Sequence, residues 1–184
     1  MVDTLPVSFG YENIKRVIIP ENELKARIAE VGKCISLEYS EKPLLLIAIL
    51  KGSFIFLADL CREITVPCEV EFMRSSSYVG NSTVSTGNPK DIFGIDKDIS
   101  KYHVLLVEDI VDTGKTLVRV TEQLKKLNPL SLKVCTLLDK PERREVDFSP
   151  DFALFIVPDV FVVGYGLDFD EKYRNLPYIA EVSL

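Results

Sequence analysis

The apolar residues of the chain follow two patterns, continuous short runs and spacings of three to four positions. Residues 21–40 show the second pattern, which predicts an amphipathic helix with an apolar face formed by Leu24, Ile28, Val31 and Ile35. The segment Leu44–Leu50 is apolar throughout and predicts a buried strand. A helical pattern returns from Phe54 to about Ile64, after a short polar turn. This part of the chain is therefore expected to fold as helix, strand and helix.

The alternation continues through the second half of the chain. A helical pattern covers Gly114 to Leu127. Strands are predicted at 69–73 and at the mainly apolar runs 103–107, 132–138 and 161–163. We expect the strand 103–107 to end at Glu108 and Asp109. Strands that alternate with helices are typical of an α/β fold, here a mainly parallel twisted sheet with helices on both faces. In such sheets, ligands bind beyond the carboxyl ends of the strands.

Length and composition indicate one globular domain spanning residues 1–184. The chain has 184 residues, of which 47% are apolar and 27% charged, close to the usual size and composition of a single domain. The longest apolar run has seven residues, whereas a membrane-spanning helix needs about 20. The net charge of −6 supplies no electrostatic reason to bind nucleic acid or an anionic membrane. We therefore expect neither as a partner.

The cysteines and the first residues of the chain indicate an intracellular protein. The four cysteines include no C-x-x-C pair and the chain has a single histidine, which argues against a zinc site and for reduced thiols. The sequence begins Met-Val-Asp-Thr-Leu-Pro, without the basic and apolar regions of a secretory signal. We expect the protein to be cytoplasmic.

The segment most informative about function is 104–116, in which an apolar run is followed by Glu108, Asp109 and a short loop that opens a helix. The free backbone N–H groups at the start of a helix bind phosphate, and the hydroxyls of Thr113 and Thr116 add further donors. The two adjacent carboxylates suit the hydroxyls of a sugar or a hydrated Mg²⁺ ion, which prefers oxygen ligands. The segment is therefore predicted to bind a sugar and its phosphate.

Two other interpretations of this segment are weaker. Residues 114–116, Gly-Lys-Thr, match the end of the nucleoside-triphosphate loop G-x-x-x-x-G-K-[ST], but that pattern requires glycine at the position of Asp109. The other interpretation is a charged surface turn after a core strand. Three carboxylates so close together, with Asp112 as the third, would repel one another without a cation or a hydroxyl partner.

The segment 107–116, VEDIVDTGKT, closely resembles the loop with which phosphoribosyltransferases bind phosphoribosyl pyrophosphate. Four further segments resemble those of the hypoxanthine-guanine phosphoribosyltransferases within that family: LKGS at 50–53, RSSSY at 74–78, LDK at 138–140 and FVVGYGLD at 161–168. The resemblance extends through almost the whole chain, and the motifs together are far more specific than any one of them. Ser53 departs from the pattern, since many relatives have glycine there, and the departure concerns the geometry of the pyrophosphate loop.

The resemblance implies a fold and an activity. The fold is the type I phosphoribosyltransferase fold, in which the N- and C-terminal segments form a small hood. The activity is transfer of the 5-phosphoribosyl group from phosphoribosyl pyrophosphate to N9 of hypoxanthine or guanine, which gives IMP or GMP and pyrophosphate in purine salvage. Mg²⁺ is the implied cofactor, and a homodimer or homotetramer is the implied assembly.

The resemblance also implies roles for residues around the sugar and the phosphates. Glu108 and Asp109 match the positions that bind the ribose hydroxyls, and Asp112 matches the proposed general base toward the purine ring nitrogen. The loop implied to hold the 5-phosphate comprises Asp112, Thr113, Gly114, Lys115 and Thr116. The residues implied at the pyrophosphate are Lys51, Gly52 and Arg174. In the family, the loop at 51–52 often contains a non-proline cis peptide bond. The implied magnesium ligands are Asp168, Glu108 and Asp109.

The residues implied at the purine base are Lys140, Phe161, Val162 and Asp168. A lysine is a hydrogen-bond donor only, so Lys140 favours a carbonyl at C6 over the amino group of adenine. Phe161 matches a residue that stacks on the ring, and Val162 contributes backbone polar groups to the base edge. Without the resemblance, a lysine would be expected in solvent and a phenylalanine in an apolar run would be expected in the core.

The segment 75–90 is rich in Ser, Thr, Gly and Asn, a composition typical of an exposed, mobile loop. The reaction passes through an oxocarbenium-like state that water could intercept, so the site needs a cover during chemistry. We expect a lid at 77–90, and Ser77 and Tyr78 match lid residues of the family. The alternative is a surface loop without a role.

Two alternative functions remain open from the sequence. One is a regulator that keeps this fold and binds RNA. The basic clusters at 125–126 and 142–145 are small and balanced by acidic neighbours, so they support RNA binding only weakly. The other is a phosphoribosyltransferase for another base, such as xanthine, adenine or orotate.

Overall fold

The computed structural model describes residues 11, 13–74 and 95–183. Its main body is a sheet of five parallel strands, β2 (Leu44–Leu50), β3 (Cys68–Arg74), β4 (His103–Val111), β5 (Ser131–Asp139) and β6 (Phe152–Ile156). These strands lie in the order β3-β2-β4-β5-β6. Its helices are α1 (Glu21–Glu38), α2 (Phe54–Glu63) and α3 (Lys115–Lys125). A short 3-10 helix, Pro141–Arg143, follows β5.

Both faces of the sheet are covered by helices. Successive residues of a strand point to opposite faces, so each central strand contributes to two cores. On β2, Leu46 and Ala48 share one core with apolar residues of α1 and α2. Leu45 and Ile47 share a second core with apolar residues of α3. A strand buried on both faces has no position for a polar residue, which explains the uninterrupted apolar run. The predicted parallel sheet with helices on both faces is confirmed.

A second, smaller sheet joins the two ends of the chain. It contains β1 (Ile14–Ile19), β8 (Ile179–Val182) and β7 (Val162–Val163), paired antiparallel in the order β1-β8-β7. Val162 and Ile179 of this sheet belong to the same core as β2, so the small sheet packs on the main body. The hood formed by the N- and C-terminal segments is confirmed.

The structure differs from two sequence predictions about strands and adds a strand that was not predicted. β4 does not end at Glu108 and Asp109 but continues to Val111, because its pairing with β5 extends over those residues. The run 161–163 forms no strand of the parallel sheet, since Val162 and Val163 pair with β8 in the hood. The fifth parallel strand is instead β6, whose five residues were not singled out from the sequence. Strand pairing in the folded protein, which a local pattern does not encode, decides each case.

The described residues contain no helix long and apolar enough to cross a membrane. All four cysteines are free thiols. The segment predicted to be a lid, with Ser77 and Tyr78, lies outside the described residues.

Candidate active site

A cleft of about 650 Å³ opens at the carboxyl ends of β2 and β4, where residues of the hood form its other wall. Most of the residues that the sequence indicated line this cleft: Lys51, Gly52, Glu108, Asp109, Asp112, Thr116, Lys140, Phe161, Val162, Asp168 and Arg174. They come from five separate stretches of chain. The topology therefore brings them together at the edge of the sheet where ligands of parallel sheets bind.

Three residues of the predicted phosphate loop, Thr113, Gly114 and Lys115, do not line the cleft in this structure. Thr113 and Gly114 lie in the turn between β4 and α3, where Gly114 has a φ of 81° and directly precedes Lys115, the first residue of the helix. The Lys115 ammonium forms an ion pair with Glu145. The backbone of this turn still presents the start of a helix, which is an anion-binding feature.

Glu108 and Asp109 are two adjacent carboxylates at the end of β4. Glu108 is only 9% exposed, and its Oε2 has no hydrogen-bond partner among the described residues. Burial, reinforced by the charge of Asp109, raises the pKa of Glu108 well above its usual value. Burial also raises the pKa of Asp109 to about 6, against the opposing effect of backbone N–H groups and Arg174. Such a pair is stabilised by any ligand that brings hydroxyl donors or a cation.

The loop after β2 approaches these carboxylates closely. The Leu50–Lys51 peptide bond is cis, as the resemblance implied for this loop. A Cβ atom on Gly52 would overlap the Asp109 carboxylate, and one on Gly166 would overlap the Gly52 carbonyl oxygen. Only glycine therefore allows the backbone of this loop to lie between β4 and the hood.

Ser53, the departure from the family pattern, does not disturb this loop. Its side chain is fully buried, and its hydroxyl donates to the Ile49 carbonyl oxygen. Ser53 does not line the cleft, so its hydroxyl leaves the walls of the cleft unchanged.

Arg174 links several residues of the hood at this end of the cleft. Its Nη1 donates to the Gly166 carbonyl oxygen at 2.8 Å, and its Nη2 lies 2.7 Å from Asp168 Oδ1. The Arg174 Nε is buried without a hydrogen-bond partner among the described residues. Glu171, which the sequence analysis did not single out, contacts both Arg174 and Lys51. Neither motif nor spacing marked Glu171, because its partner Lys51 lies 120 positions away.

Asp112 stands at the mouth of the cleft, with its side chain 45% exposed. The Nε of Arg143 donates to Asp112 Oδ1 at 2.9 Å. Arg144 donates to the Asp112 carbonyl oxygen at 2.6 Å and forms an ion pair with Asp139. The two arginines therefore fasten the turn after β4 to the segment after β5. Both arginines belong to the basic cluster at 142–145, and both are paired with acidic residues in the structure.

Lys140 and Phe161 also line the cleft. Lys140 is only 8% exposed, and its Nζ donates to the Val160 carbonyl oxygen at 2.7 Å. Phe161 is 40% exposed and meets Phe169 edge-on, with ring centroids 5.5 Å apart. A buried ammonium and an exposed aromatic ring in the same cleft suit a flat, polar, aromatic ligand.

The described residues contain no group of three or more His, Cys, Asp or Glu side chains that could hold a metal ion without other ligands. Mg²⁺ typically takes only one or two carboxylates and completes its shell with water and substrate oxygens. The unpartnered oxygen of Glu108 fits this requirement. Asp168 is less free, because one oxygen is paired with Arg174 and the other accepts the N–H of Glu171. The carboxylates therefore fit a magnesium ion that takes some of its ligands from the protein and the others from water and the substrate.

Residues 20–170 match the family model described as the phosphoribosyl transferase domain. The chain belongs to the phosphoribosyltransferase family. The hypoxanthine phosphoribosyltransferase of Salmonella typhimurium is 51% identical to this phosphoribosyltransferase over 170 residues, which cover 91% of this chain and 95% of the relative. The hypoxanthine-guanine phosphoribosyltransferase of Bacillus subtilis is 46% identical over 167 residues, with coverages of 91% and 92%.

Solved structures agree with the sequence relatives. A crystal structure of a hypoxanthine phosphoribosyltransferase from Staphylococcus aureus superposes with a TM-score of 0.86 at 39% identity and covers 97% of each chain. The resemblance found in the sequence is therefore confirmed at the level of family and fold. The chain is a phosphoribosyltransferase enzyme, and the cleft at the carboxyl ends of its strands is its candidate active site.

Proposed function

We propose that this phosphoribosyltransferase transfers the 5-phosphoribosyl group from phosphoribosyl pyrophosphate to N9 of hypoxanthine or guanine, forming IMP or GMP and releasing pyrophosphate. The observation that carries the proposal is the set of groups that line one cleft. The paired carboxylates of β4 lie there together with the buried ammonium of Lys140 and the exposed ring of Phe161. The relatives named for hypoxanthine and guanine support the choice of base.

The sugar phosphate fits the end of the cleft formed by β4. Glu108 and Asp109 accept hydrogen bonds from the ribose hydroxyls, which gives a partner to the Glu108 oxygen that is buried without one. The turn 112–116 holds the 5-phosphate with backbone N–H groups at the start of α3 and with the hydroxyls of Thr113 and Thr116. Local geometry therefore binds an anion in a chain whose net charge is −6.

The pyrophosphate fits between the loop after β2 and the hood. Lys51 and Arg174 supply positive charge there, and the Gly52 backbone allows a close approach. Mg²⁺, when bound, supplies further positive charge that neutralises the leaving pyrophosphate. Glu108, Asp109 and Asp168 are the residues that would hold it.

The base fits beside Lys140 and Phe161. An ammonium group has three N–H donors, and one of those of Lys140 is used by the Val160 carbonyl oxygen. The others can donate to the oxygen on C6 of hypoxanthine or guanine, whereas the amino group of adenine offers no acceptor at that atom. Phe161 stacks on the ring, and the backbone of Val162 contacts the base edge. Asp112 accepts the proton that leaves the purine nitrogen when the new bond forms.

A panel of bases tests this proposal directly. Nucleotide formation from phosphoribosyl pyrophosphate is measured with hypoxanthine, guanine, xanthine, adenine and orotate, with Mg²⁺ and with excess chelator. We expect turnover with the first two bases and none in chelator. Preferred turnover of adenine or orotate would contradict the assignment of Lys140. Binding of RNA without turnover of any base would favour the regulator.

We also infer where the enzyme works and how it assembles. Four free thiols suit the reducing cytoplasm, where we infer that the enzyme works. We infer a homodimer or homotetramer from the resemblance, and light scattering coupled to size-exclusion chromatography distinguishes these assemblies from a monomer of 20.8 kDa.

A further inference from the structure

The carboxylate of Glu171 stands in the cleft between the two side chains assigned to pyrophosphate. Its Oε2 accepts a hydrogen bond from Lys51 Nζ at 2.9 Å, and the same oxygen lies 3.4 Å from Arg174 Nη2. Glu171 lines the cleft together with both of these residues. One carboxylate oxygen therefore accepts a hydrogen bond from each of two cations that come from opposite walls.

The backbone of Glu171 is held in place by a tight turn. Asp170 and Glu171 have φ values of 52° and 61°, and the N–H of Glu171 donates to Asp168 Oδ2 at 3.0 Å. Phe169 and Lys172 exchange backbone hydrogen bonds of 3.2 and 3.1 Å across the turn. The position of Glu171 next to the cations is thus a built feature of the hood, although its side chain is exposed.

A carboxylate and a pyrophosphate oxygen need the same partners. Both are anionic acceptors that bind lysine and arginine through charge-assisted hydrogen bonds. A glutamate carboxylate is normally charged at neutral pH, and that of Glu171 forms ion pairs with Lys51 and Arg174. A pyrophosphate group that enters must displace this carboxylate from the cations or bind beside a like charge, and both costs weaken its binding.

We infer that Glu171 competes with the pyrophosphate group for Lys51 and Arg174 and thereby sets the affinity of this part of the site. The inference rests on the proposed function, because it takes these two cations as the pyrophosphate-binding residues. Competition of this kind weakens binding of the substrate's pyrophosphate group and also of the released product. Glu171 is therefore a residue that favours product release at a cost in substrate affinity.

The test is the variant Glu171→Gln, which keeps the size of the side chain and removes its charge. The matched control is Glu30→Gln, which removes the same charge from an exposed ion pair with Arg27 on α1. The inhibition constant of pyrophosphate against phosphoribosyl pyrophosphate is measured at fixed Mg²⁺. Binding of magnesium pyrophosphate to each protein without a base is measured by calorimetry.

In Glu171→Gln, we expect the inhibition constant, the calorimetric Kd and the KM for phosphoribosyl pyrophosphate each to fall about two- to fivefold, the size typical of exposed ion pairs. The KM for hypoxanthine should stay within about twofold, since Lys140 and Phe161, which are proposed to bind the base, are unchanged. The control Glu30→Gln should match the wild type. A thermal melt of each variant confirms that it is folded.

Either of two results would overturn the inference. An unchanged pyrophosphate affinity in a folded Glu171→Gln protein means that the carboxylate does not compete. A weakened affinity means that Glu171 helps to hold the anion or its metal ion. Failure of the proposed function is distinct, because it shows as a wild-type protein that forms no nucleotide, whereas the calorimetric comparison is made without turnover.

Discussion

Replacing Lys140 with methionine tests whether a buried ammonium recognises the C6 oxygen of the base. Methionine keeps an unbranched apolar side chain in the pocket and removes all three N–H donors. In the structure, Lys140 is 8% exposed and donates to the Val160 carbonyl oxygen at 2.7 Å. The substitution therefore removes one hydrogen bond within the protein and the hydrogen bond proposed to the substrate.

The magnitude follows from the kind of hydrogen bond that is lost. A hydrogen bond to a charged group contributes about 1.5–3 kcal/mol, so kcat/KM for hypoxanthine and guanine should fall about 10- to 150-fold. Adenine has no oxygen at C6, and its low efficiency should hardly change. The preference for 6-oxopurines should fall by the same factor. Because Val160 is only partly buried, the lost bond to its carbonyl should lower the free energy of unfolding by no more than about 1 kcal/mol.

The assay compares kcat/KM for hypoxanthine, guanine and adenine in the wild type and in Lys140→Met. The control is Lys125→Met, at an exposed position at the end of α3. Affinity for phosphoribosyl pyrophosphate should hardly change, since its proposed contacts lie elsewhere in the cleft. The reasoning is refuted if the efficiency with 6-oxopurines is retained while affinity for phosphoribosyl pyrophosphate collapses.

Three further predictions concern the sugar and phosphate end of the cleft. Asp112→Asn should lower kcat about 10²- to 10⁴-fold with little change in affinity for phosphoribosyl pyrophosphate, because the amide cannot accept the proton. A loss of kcat below about fivefold in steady-state kinetics would exclude the general-base role. Gly52→Ala should weaken binding of phosphoribosyl pyrophosphate about tenfold or more, because the new Cβ must displace the Asp109 carboxylate, and calorimetry that gives wild-type affinity would contradict this geometry. Asp109 has a folded-state pKa raised to about 6, above the roughly 3.9 of an unfolded chain, so its contribution to stability is present at low pH and is lost as pH rises from about 4 through 6. Asp109→Asn should therefore gain about 2–3 kcal/mol in unfolding free energy relative to the wild type between pH 4 and pH 8, and parallel pH profiles in denaturant titrations would rule this out.

The local pattern of apolar residues was sufficient to predict elements in which that pattern is regular along the whole element. β2 was predicted with the bounds that it has in the structure, because seven consecutive apolar residues suit only a strand covered on both faces. The start of α1 after Pro20 was also predicted correctly. The apolar residues that predict such an element are also the residues that pack in the core. A short stretch of sequence is therefore enough to predict it.

Local pattern failed where pairing between distant strands decides the structure. Glu108 and Asp109 lie in β4 although the sequence around them indicates an interruption, because β5 pairs with the strand beyond them. The two residues of β7 are as apolar as those of a core strand, yet they pair with β8 and therefore belong to the hood. Neither outcome is encoded within a window of ten residues, since the partner strand supplies the backbone hydrogen bonds.

The candidate site divides in the same way. The carboxylates of β4 and Asp112 could be found from the sequence, because one continuous motif carries both the strand and the loop. The ion pairs around the cleft could not be found, since Arg143 and Asp112 are 31 positions apart and Glu171 and Lys51 are 120 apart. By itself the sequence determined the family, the parallel sheet and most residues of the cleft. Only the tertiary structure decided which charges meet there, because ion pairs between exposed side chains leave no periodic pattern along the chain.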